Sequence, residues 1–417
     1  MFKNLRSIAI SYLPSQYKEI AENFSYVLAL RIAQQIINFI SFFFIINYVQ
    51  KDIVGNYQFV LSVIALVSVT SLPGMRNALM QSVARGHGGF FKVATRYAFL
   101  GSLIGSFILI LIAGYYYFQN NIFMAIAFSI SSLFMPFSKG LFMWKASYSG
   151  QERFKQLSLI DASASLISSA LLMISVMFYT NSHVILLSIT VLIPSLQNLI
   201  LWKLEANRYK YAPTSEEGMS EYGLKTSAYQ IFPLTAREID KLSVYSFMSS
   251  ADLAAYNVAM KIPEAIKSVI QNLGDVIMPK FARTNKITTK MHKSMGGISA
   301  LLFIAITFFA FAVFPIIFDT LVPDEYNDSL HYSQALLCTV AIGNYAILRS
   351  KYIKSQKDLE SFKKLSFMSS AVKIVLSPLF IFFMGVWGAI AAILIQRVVL
   401  IVLTESIVRK LYRENKT

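Results

Sequence analysis

Apolar stretches of about 20 residues, the length that crosses ~30 Å of hydrocarbon, recur from one end of the chain to the other. That repetition constrains the fold more than any motif. It comes with 55% hydrophobic and only 14% charged residues, a combination that excludes an ordinary soluble domain. Continuous runs, rather than ~10-residue alternating segments, carry the signal, so the spans are helices and not barrel strands. Twelve spans are expected, at 25–48, 57–80, 95–117, 122–146, 157–179, 184–203, 224–248, 253–278, 296–318, 329–348, 365–384 and 386–408. The fold class is therefore an all-α polytopic membrane protein.

The connections alternate in character. One set is short and acidic or uncharged, and Lys51 is its one basic residue; the other set, with the two termini, holds 27 lysines and arginines. The positive-inside rule then puts both termini in the cytoplasm. The opening MFKNLRSIAISYLPSQYKEIAEN reads as a cytoplasmic lead-in, because it lacks a long apolar core and a small-residue cleavage site. The net charge of +16 is mostly this loop asymmetry, meeting anionic headgroups. No loop is large enough to build a nucleic-acid-binding domain. Four scattered histidines and a single cysteine offer no metal site, and no intrachain disulfide can form.

The longest cytoplasmic connection, 204–223, divides six spans (1–203) from six (224–417). DIVGNYQFVLSVIALVSVTSLPGMRNALMQSVAR in the first half parallels ADLAAYNVAMKIPEAIKSVIQNLGDVIMPKFAR in the second. Each opens on a small-x-Tyr turn and closes on an Ala-Arg pair, about 200 positions apart. An even number of spans per half makes this a parallel repeat: two six-helix bundles related by a pseudo-twofold along the membrane normal. Such repeats enclose a midplane cavity and work by alternating access.

Charges inside spans cost ~2.5–3.5 kcal/mol each at the helix centre, so they mark partners or water. Ten bases lie within or at the edges of spans: Arg31, Arg76, Lys139, Lys145, Arg237, Lys241, Lys261, Lys267, Lys373 and Arg397. The embedded acids are Asp161, Glu238, Asp240, Glu264 and Asp275. Lys145, Lys373 and Arg31 are within reach of the cytoplasmic interface by snorkelling, and Asp161 and Asp275 also lie near that side. Arg397, in the middle of the last span, has no such explanation. Neither has the Lys-x-x-Glu-x-x-Lys run at Lys261, Glu264 and Lys267. The surplus of bases suits an anionic cargo in a wet cavity; mutual pairing of acids and bases is the competing account. In PLTAREIDKLSVY, Arg237, Glu238, Asp240 and Lys241 share one face of the seventh span. The expected pairs are Arg237 with Asp240 and Glu238 with Lys241.

The turn Leu253-Ala254-Ala255-Tyr256, the Asp240-Lys241 pair before an apolar run, LPGMRNALMQ and GVWGAIAAILIQR together resemble the polysaccharide (O-antigen) flippases. These belong to the multidrug/oligosaccharidyl-lipid/polysaccharide exporter superfamily, and the resemblance covers nearly the whole chain. It implies a flippase that moves an undecaprenyl-pyrophosphate-linked oligosaccharide from the cytoplasmic to the periplasmic leaflet of a bacterial inner membrane. The cargo and the surrounding lipids would be its partners, with a glycan polymerase and a chain-length regulator beside them. The pyrophosphate would be held by Arg31, Arg76, Lys139, Lys241, Lys261, Lys267 and Arg397. Arg237, Glu238, Asp240, Glu264, Asp161 and Asp275 would form coupling or gating ion pairs. No cofactor is expected; with no Walker motif, the energy would come from a proton or sodium gradient.

Two other functions compete. A cation-coupled drug antiporter of the same superfamily would want acids and aromatics around its cavity. A polytopic glycan polymerase or glycosyltransferase would want a large outer loop. The longest outer loop, 319–328, is too short for a catalytic site, and no nucleophile–base constellation is visible. The chain is thus expected not to be an enzyme.

Overall fold

The computed structural model describes residues 15–178, 182–210, 217–283, 289–355 and 359–414, and all of the regular structure among them is helical. Each expected span is a helix or a helix with one break. They are α1 (Ser15–Tyr48), α2 (Lys51–Val67) continuing after a turn into α3 (Gly74–Ala84), α4 (Phe90–Phe118), α5 (Ile122–Met135) continuing into α6 (Trp144–Gly150), α7 (Phe154–Phe178) and α8 (His183–Arg208). The second half follows with α9 (Met219–Phe247), α10 (Ser250–Arg283), α11 (Thr289–Phe308) continuing into α12 (Phe314–Leu321), α13 (Asp328–Ser355), α14 (Leu359–Met384) and α15 (Val386–Glu414). The breaks have local causes. The second span turns at Leu72, whose φ of 54° is left-handed, just before Pro73. The fourth widens into a π-turn over Pro136–Gly140, where proline withholds a backbone donor.

Among the described residues, nine helical stretches are long and apolar enough to cross a bilayer unaided. The expected spans outside that set are α9, α10 and α13, although they run to 29, 34 and 28 residues. α9 and α10 carry clustered charges, and for α13 the reason is burial. α13 packs against α10, α11 and α15, and Ser333, Leu337, Ala341, Asn344 and Arg349 are all at most 1% exposed. A helix enclosed by other helices has no need of a lipid-facing side.

By contact the chain divides into two units, Met1–Val49 with Val67–Ala228, and Gln50–Leu66 with Tyr229–Thr417. This differs from a division at 203 and 224 in where the second and seventh spans lie. α2 packs within the second unit: Ser250 Oγ donates to Asp52 Oδ1 at 2.6 Å and Tyr245 OH to Asn56 Oδ1 at 2.9 Å. Tyr245 also stacks on Phe59 at 3.7 Å. The start of α9 packs within the first unit, where Gly74 N donates to Ser227 Oγ at 2.9 Å.

Helix contacts are built from small residues and hydroxyls, as expected where lipid offers no hydrophobic drive between helices. Ser106 and Ser132 exchange hydroxyl-to-carbonyl bonds across α4 and α5 at 2.8 and 2.9 Å. Ser329 and Ser333 of α13 donate to the carbonyls of Ala255 and Ala259 of α10 at 2.9 and 3.0 Å. The second of these answers a specific need. Pro263 has no N–H to give the carbonyl four residues back, which is that of Ala259, and the neighbouring helix supplies the donor instead.

Each unit also closes one end of its bundle with the same clasp. Glu205 on α8 is buried and holds Arg153 at 3.7 Å and Arg208 at 3.6 Å; Arg153 lies over the Tyr148 ring at 4.2 Å. About 200 positions on, Glu405 on α15 holds Arg349 at 3.4 Å and Arg409 at 2.9 Å, and Arg349 lies over Tyr345 at 3.4 Å. The repeat seen in the turns thus extends to a carboxylate, two guanidiniums and an aromatic ring, with the carboxylate buried in the first unit and half-buried in the second. Arg349, counted from sequence among the loop residues that set topology, is 1% exposed.

Gly55 is fixed by close approach, since a β-carbon there would meet the Ser250 backbone, whereas one at Gly114 would meet nothing within 4 Å. Gly55→Val should therefore destabilise the purified protein by about 1–3 kcal/mol, read as a lowered midpoint in thermal unfolding. Gly114→Ala should leave that midpoint unchanged.

Candidate functional site

The site grows from the charged face of α9. Glu238 accepts from Arg237 Nε at 2.7 Å on one carboxylate oxygen and from Lys241 Nζ at 3.3 Å on the other. The Glu238–Lys241 pair is the one expected from i, i+3 spacing. Arg237 does not pair with Asp240. Asp240 is 0% exposed, and its Oδ2 accepts from Tyr256 OH of α10 at 2.7 Å and from Lys373 Nζ of α14 at 2.8 Å. The physical reason is desolvation. A fully buried carboxylate gains most from a buried ammonium, and Lys373 is 9% exposed at its side chain against 62% for Arg237. The other oxygen of Asp240, Oδ1, has no hydrogen-bond partner among the described residues.

Lys373 corrects the expectation that it snorkels to the interface: it is turned inward and held by an acid on another helix. A signal was present. SFMSSAVKIVLS places Ser366, Ser370, Lys373 and Ser377 at steps of three and four, a polar stripe down one face of an otherwise apolar helix. Lys145, half-buried, pairs with the other candidate near that side, its Nζ lying 2.8 Å from Asp161 Oδ1.

Beside Asp240 lies a cavity of about 300 Å³ within the second unit. Arg237 of α9, Glu264 and Lys267 of α10, Thr339 of α13, Ser370 and Lys373 of α14, and Gln396 and Arg397 of α15 line it, between apolar residues and the rings of Pro233 and Pro263. Four cationic side chains thus face one carboxylate. Arg237 is engaged by Glu238 and Lys373 by Asp240. Lys267 and Arg397 have no ion-pair partner among the described residues, and the buried Nε of Arg397 makes no hydrogen bond among them. Gly343 on α13 makes room for Arg397, because a β-carbon there would meet Arg397 Cδ at 2.7 Å.

The structure brings Arg237, Glu264, Lys267 and Arg397 to one cavity, with Asp240 behind it. Lys241 and Lys261 stand outside it: Lys241 is held by Glu238, and Lys261 lies in the field of Glu264 and Lys241. Of the remaining candidates, Arg31, Arg76, Lys139 and Asp161 belong to the first unit. There Asp161 bonds Lys145 and acts electrostatically on Arg76, as does Arg31. Lys139 sits in the π-turn of the fourth span. Asp275 lies outside the described side chains. The cavity residues that sequence did not assign to the site are Lys373, which it named as an embedded base, and Ser370, Thr339 and Gln396.

Known proteins supply a context for this site. The sequence profile of a family described as polysaccharide biosynthesis protein matches residues 49–331. No curated protein sequence matches the chain significantly. Among solved structures, the lipid II flippase MurJ in an inward closed conformation aligns with a TM-score of 0.68 at 12% identity, over 92% of this chain and 87% of that one. An inward-facing multidrug resistance MATE family transporter of the MOP superfamily aligns with a TM-score of 0.64 at 11% identity, over 91% and 96%. A MOP superfamily transporter from Pyrococcus furiosus, described as having a binding pocket of reverse polarity that suggests a different function, aligns with a TM-score of 0.57 at 12% identity, over 94% and 96%. At these identities the likeness is one of fold. The chain shares their all-α polytopic architecture, with twelve spans.

The Asp240–Lys373 pair predicts an asymmetric thermodynamic cycle. Lys373→Met alone should cost about 3–5 kcal/mol by leaving a buried carboxylate uncompensated. The double variant Asp240→Asn/Lys373→Met should recover most of that in thermal unfolding. A double variant no more stable than the single one would show that the pair is not what holds these helices.

Proposed function

Because the chain belongs to the polysaccharide biosynthesis protein family, we propose that it is a flippase for a lipid-linked oligosaccharide, whose diphosphate is held in the cationic cavity of the second unit. The observation that carries this reading is the charge of the cavity: four cations against one carboxylate, two of the cations with no ion-pair partner among the described residues. Such a site is matched by a compact dianion. Arg397 can grip phosphate oxygens through its planar fork, and Lys267 meets them as a point charge. Ser370, Thr339 and Gln396 add neutral hydrogen-bonding groups to which a sugar hydroxyl can bond. The polyprenyl tail needs no pocket of its own, since lipid already solvates it.

The finer reading is an undecaprenyl-pyrophosphate-linked repeat unit of the O-antigen kind. It would be carried from the cytoplasmic to the periplasmic leaflet of a bacterial inner membrane, with both termini cytoplasmic. The 27-to-one loop asymmetry supports that orientation. A glycan polymerase and a chain-length regulator are the partners that such a product would meet. The flippase MurJ among the structures of like fold supports a lipid-linked cargo. The MATE likeness raises a drug antiporter as the second reading. A cavity with this charge would repel a cationic drug, and the Pyrococcus transporter of like fold is itself described as having a binding pocket of reverse polarity.

Each of Arg397→Ala and Lys267→Ala removes a charge-assisted contact of about 1.5–3 kcal/mol, so cargo affinity should fall roughly ten- to hundredfold. Flipping of a fluorescent undecaprenyl-pyrophosphate sugar in proteoliposomes would measure this. Undiminished flipping by both variants would remove the cavity from the transport path. Cells lacking the protein should accumulate undecaprenyl-linked repeat units on the cytoplasmic face; accumulation on the periplasmic face would reverse the direction.

A further inference from the structure

Resting on the anion-binding reading of the cavity, we propose that a bound diphosphate takes Lys373 away from Asp240 and that Asp240 then takes up a proton, so that occupancy of the cavity is coupled to protonation of one buried carboxylate. The geometry places a single ammonium in two environments. Its nitrogen lies 2.8 Å from Asp240 Oδ2, and its side chain forms part of the cavity wall with Lys267 and Arg397. A diphosphate entering there meets those two cations first, because neither has an ion-pair partner among the described residues. Lys373 is in the same wall, and any third positive charge the anion draws comes from an existing pair, either Arg237–Glu238 or Lys373–Asp240.

The two donors differ in what they leave behind. Glu238 keeps Lys241 when Arg237 departs, so its negative charge stays balanced and no proton is needed. Asp240 keeps only the Tyr256 hydroxyl. The other charged and titratable groups around it are committed or distant: Lys241 on its own helix is held by Glu238, Glu264 and Lys267 stand further along α10, and Arg397 on α15 faces the cavity. A carboxylate that is 0% exposed, with one hydrogen bond and no cation bonded to it, while neighbouring Lys241 stays bonded to Glu238, is costly by several kcal/mol. Protonation removes that cost, and Oδ1, which has no partner among the described residues, is an open position for the proton. The step balances as one ammonium transferred from carboxylate to phosphate and one proton passed to the carboxylate from the buffered solvent, whose buffer acid becomes its conjugate base. On release of the anion, Lys373 returns and the proton leaves. The proton count therefore reports which cation moves.

The experiment is calorimetric titration of the full-length protein in nanodiscs with inorganic pyrophosphate, in two buffers of different ionisation enthalpy. Wild type should take up about one proton per pyrophosphate more than Asp240→Asn, with binding retained in both. Equal uptake in the two proteins overturns the exchange while leaving the anion site standing. Absence of pyrophosphate binding to wild type overturns the anion reading of the cavity, and the exchange with it. Infrared difference spectra of wild type alone give an arm that does not depend on the variant folding: a protonated-carboxyl C=O stretch should appear with pyrophosphate, and its absence overturns the proposal.

Discussion

Inside hydrocarbon, no water is available to a polar group, and each backbone or side-chain donor and acceptor has to be answered by the chain itself. The structure follows from that constraint. Helices answer their own backbones. Where a proline interrupts the answer at Ala259, a serine from α13 completes it. Where two helices must touch, paired serines on α4 and α5 satisfy each other's carbonyls. Glycine at position 55 lets α2 come against the Ser250 backbone, a contact that a side chain would forbid.

The same constraint sorts the charges. A buried ion has to be paired or has to face water. Glu205 and Glu405 are each surrounded by two guanidiniums, and Asp240 is held by an ammonium and a phenol. Glu205 and Asp240 are buried, and each is charged there because of those partners. The cavity differs: there the cations outnumber the carboxylates, which is sustainable only with water or a counter-anion in the space between them. A surplus of charge around one space is what distinguishes a binding surface from a structural ion pair.

Much of this is legible in the sequence. Among the described residues, nine of the helices follow from apolar run length, and the alternation of basic and non-basic connections places the other three. Arg397 and Lys267 stood out because their distance from either interface left them without an explanation, and they line the cavity. What the sequence did not reveal depends on pairing between distant helices. Asp240 and Lys373 are more than a hundred residues apart, and nothing local to α9 tells whether Asp240 turns toward Arg237 or away from it. Lysine near a span end usually snorkels, but the serines at three- and four-residue steps around Lys373 point to an inward face. Arg349 follows an apolar run by one residue and so reads as a loop residue, yet α13 extends about two further turns and carries it into the core. Boundaries defined by hydropathy end where lipid exposure ends, and a helix enclosed by other helices goes on past that point.

The charged face of α9 combines two kinds of ion pair, and the difference between them is mechanical. Glu238 takes its partners from its own helix, Arg237 one residue before and Lys241 three residues after. Those partners travel with it through any movement of the helix as a body, so this set can only brace. Asp240 takes its cation from α14 and its hydroxyl from α10. A shift of either helix, or a competing anion beside Lys373, changes its surroundings at once. Two carboxylates two residues apart are thus suited to opposite tasks. The one that no local partner can satisfy is the one whose state can register what the cavity holds.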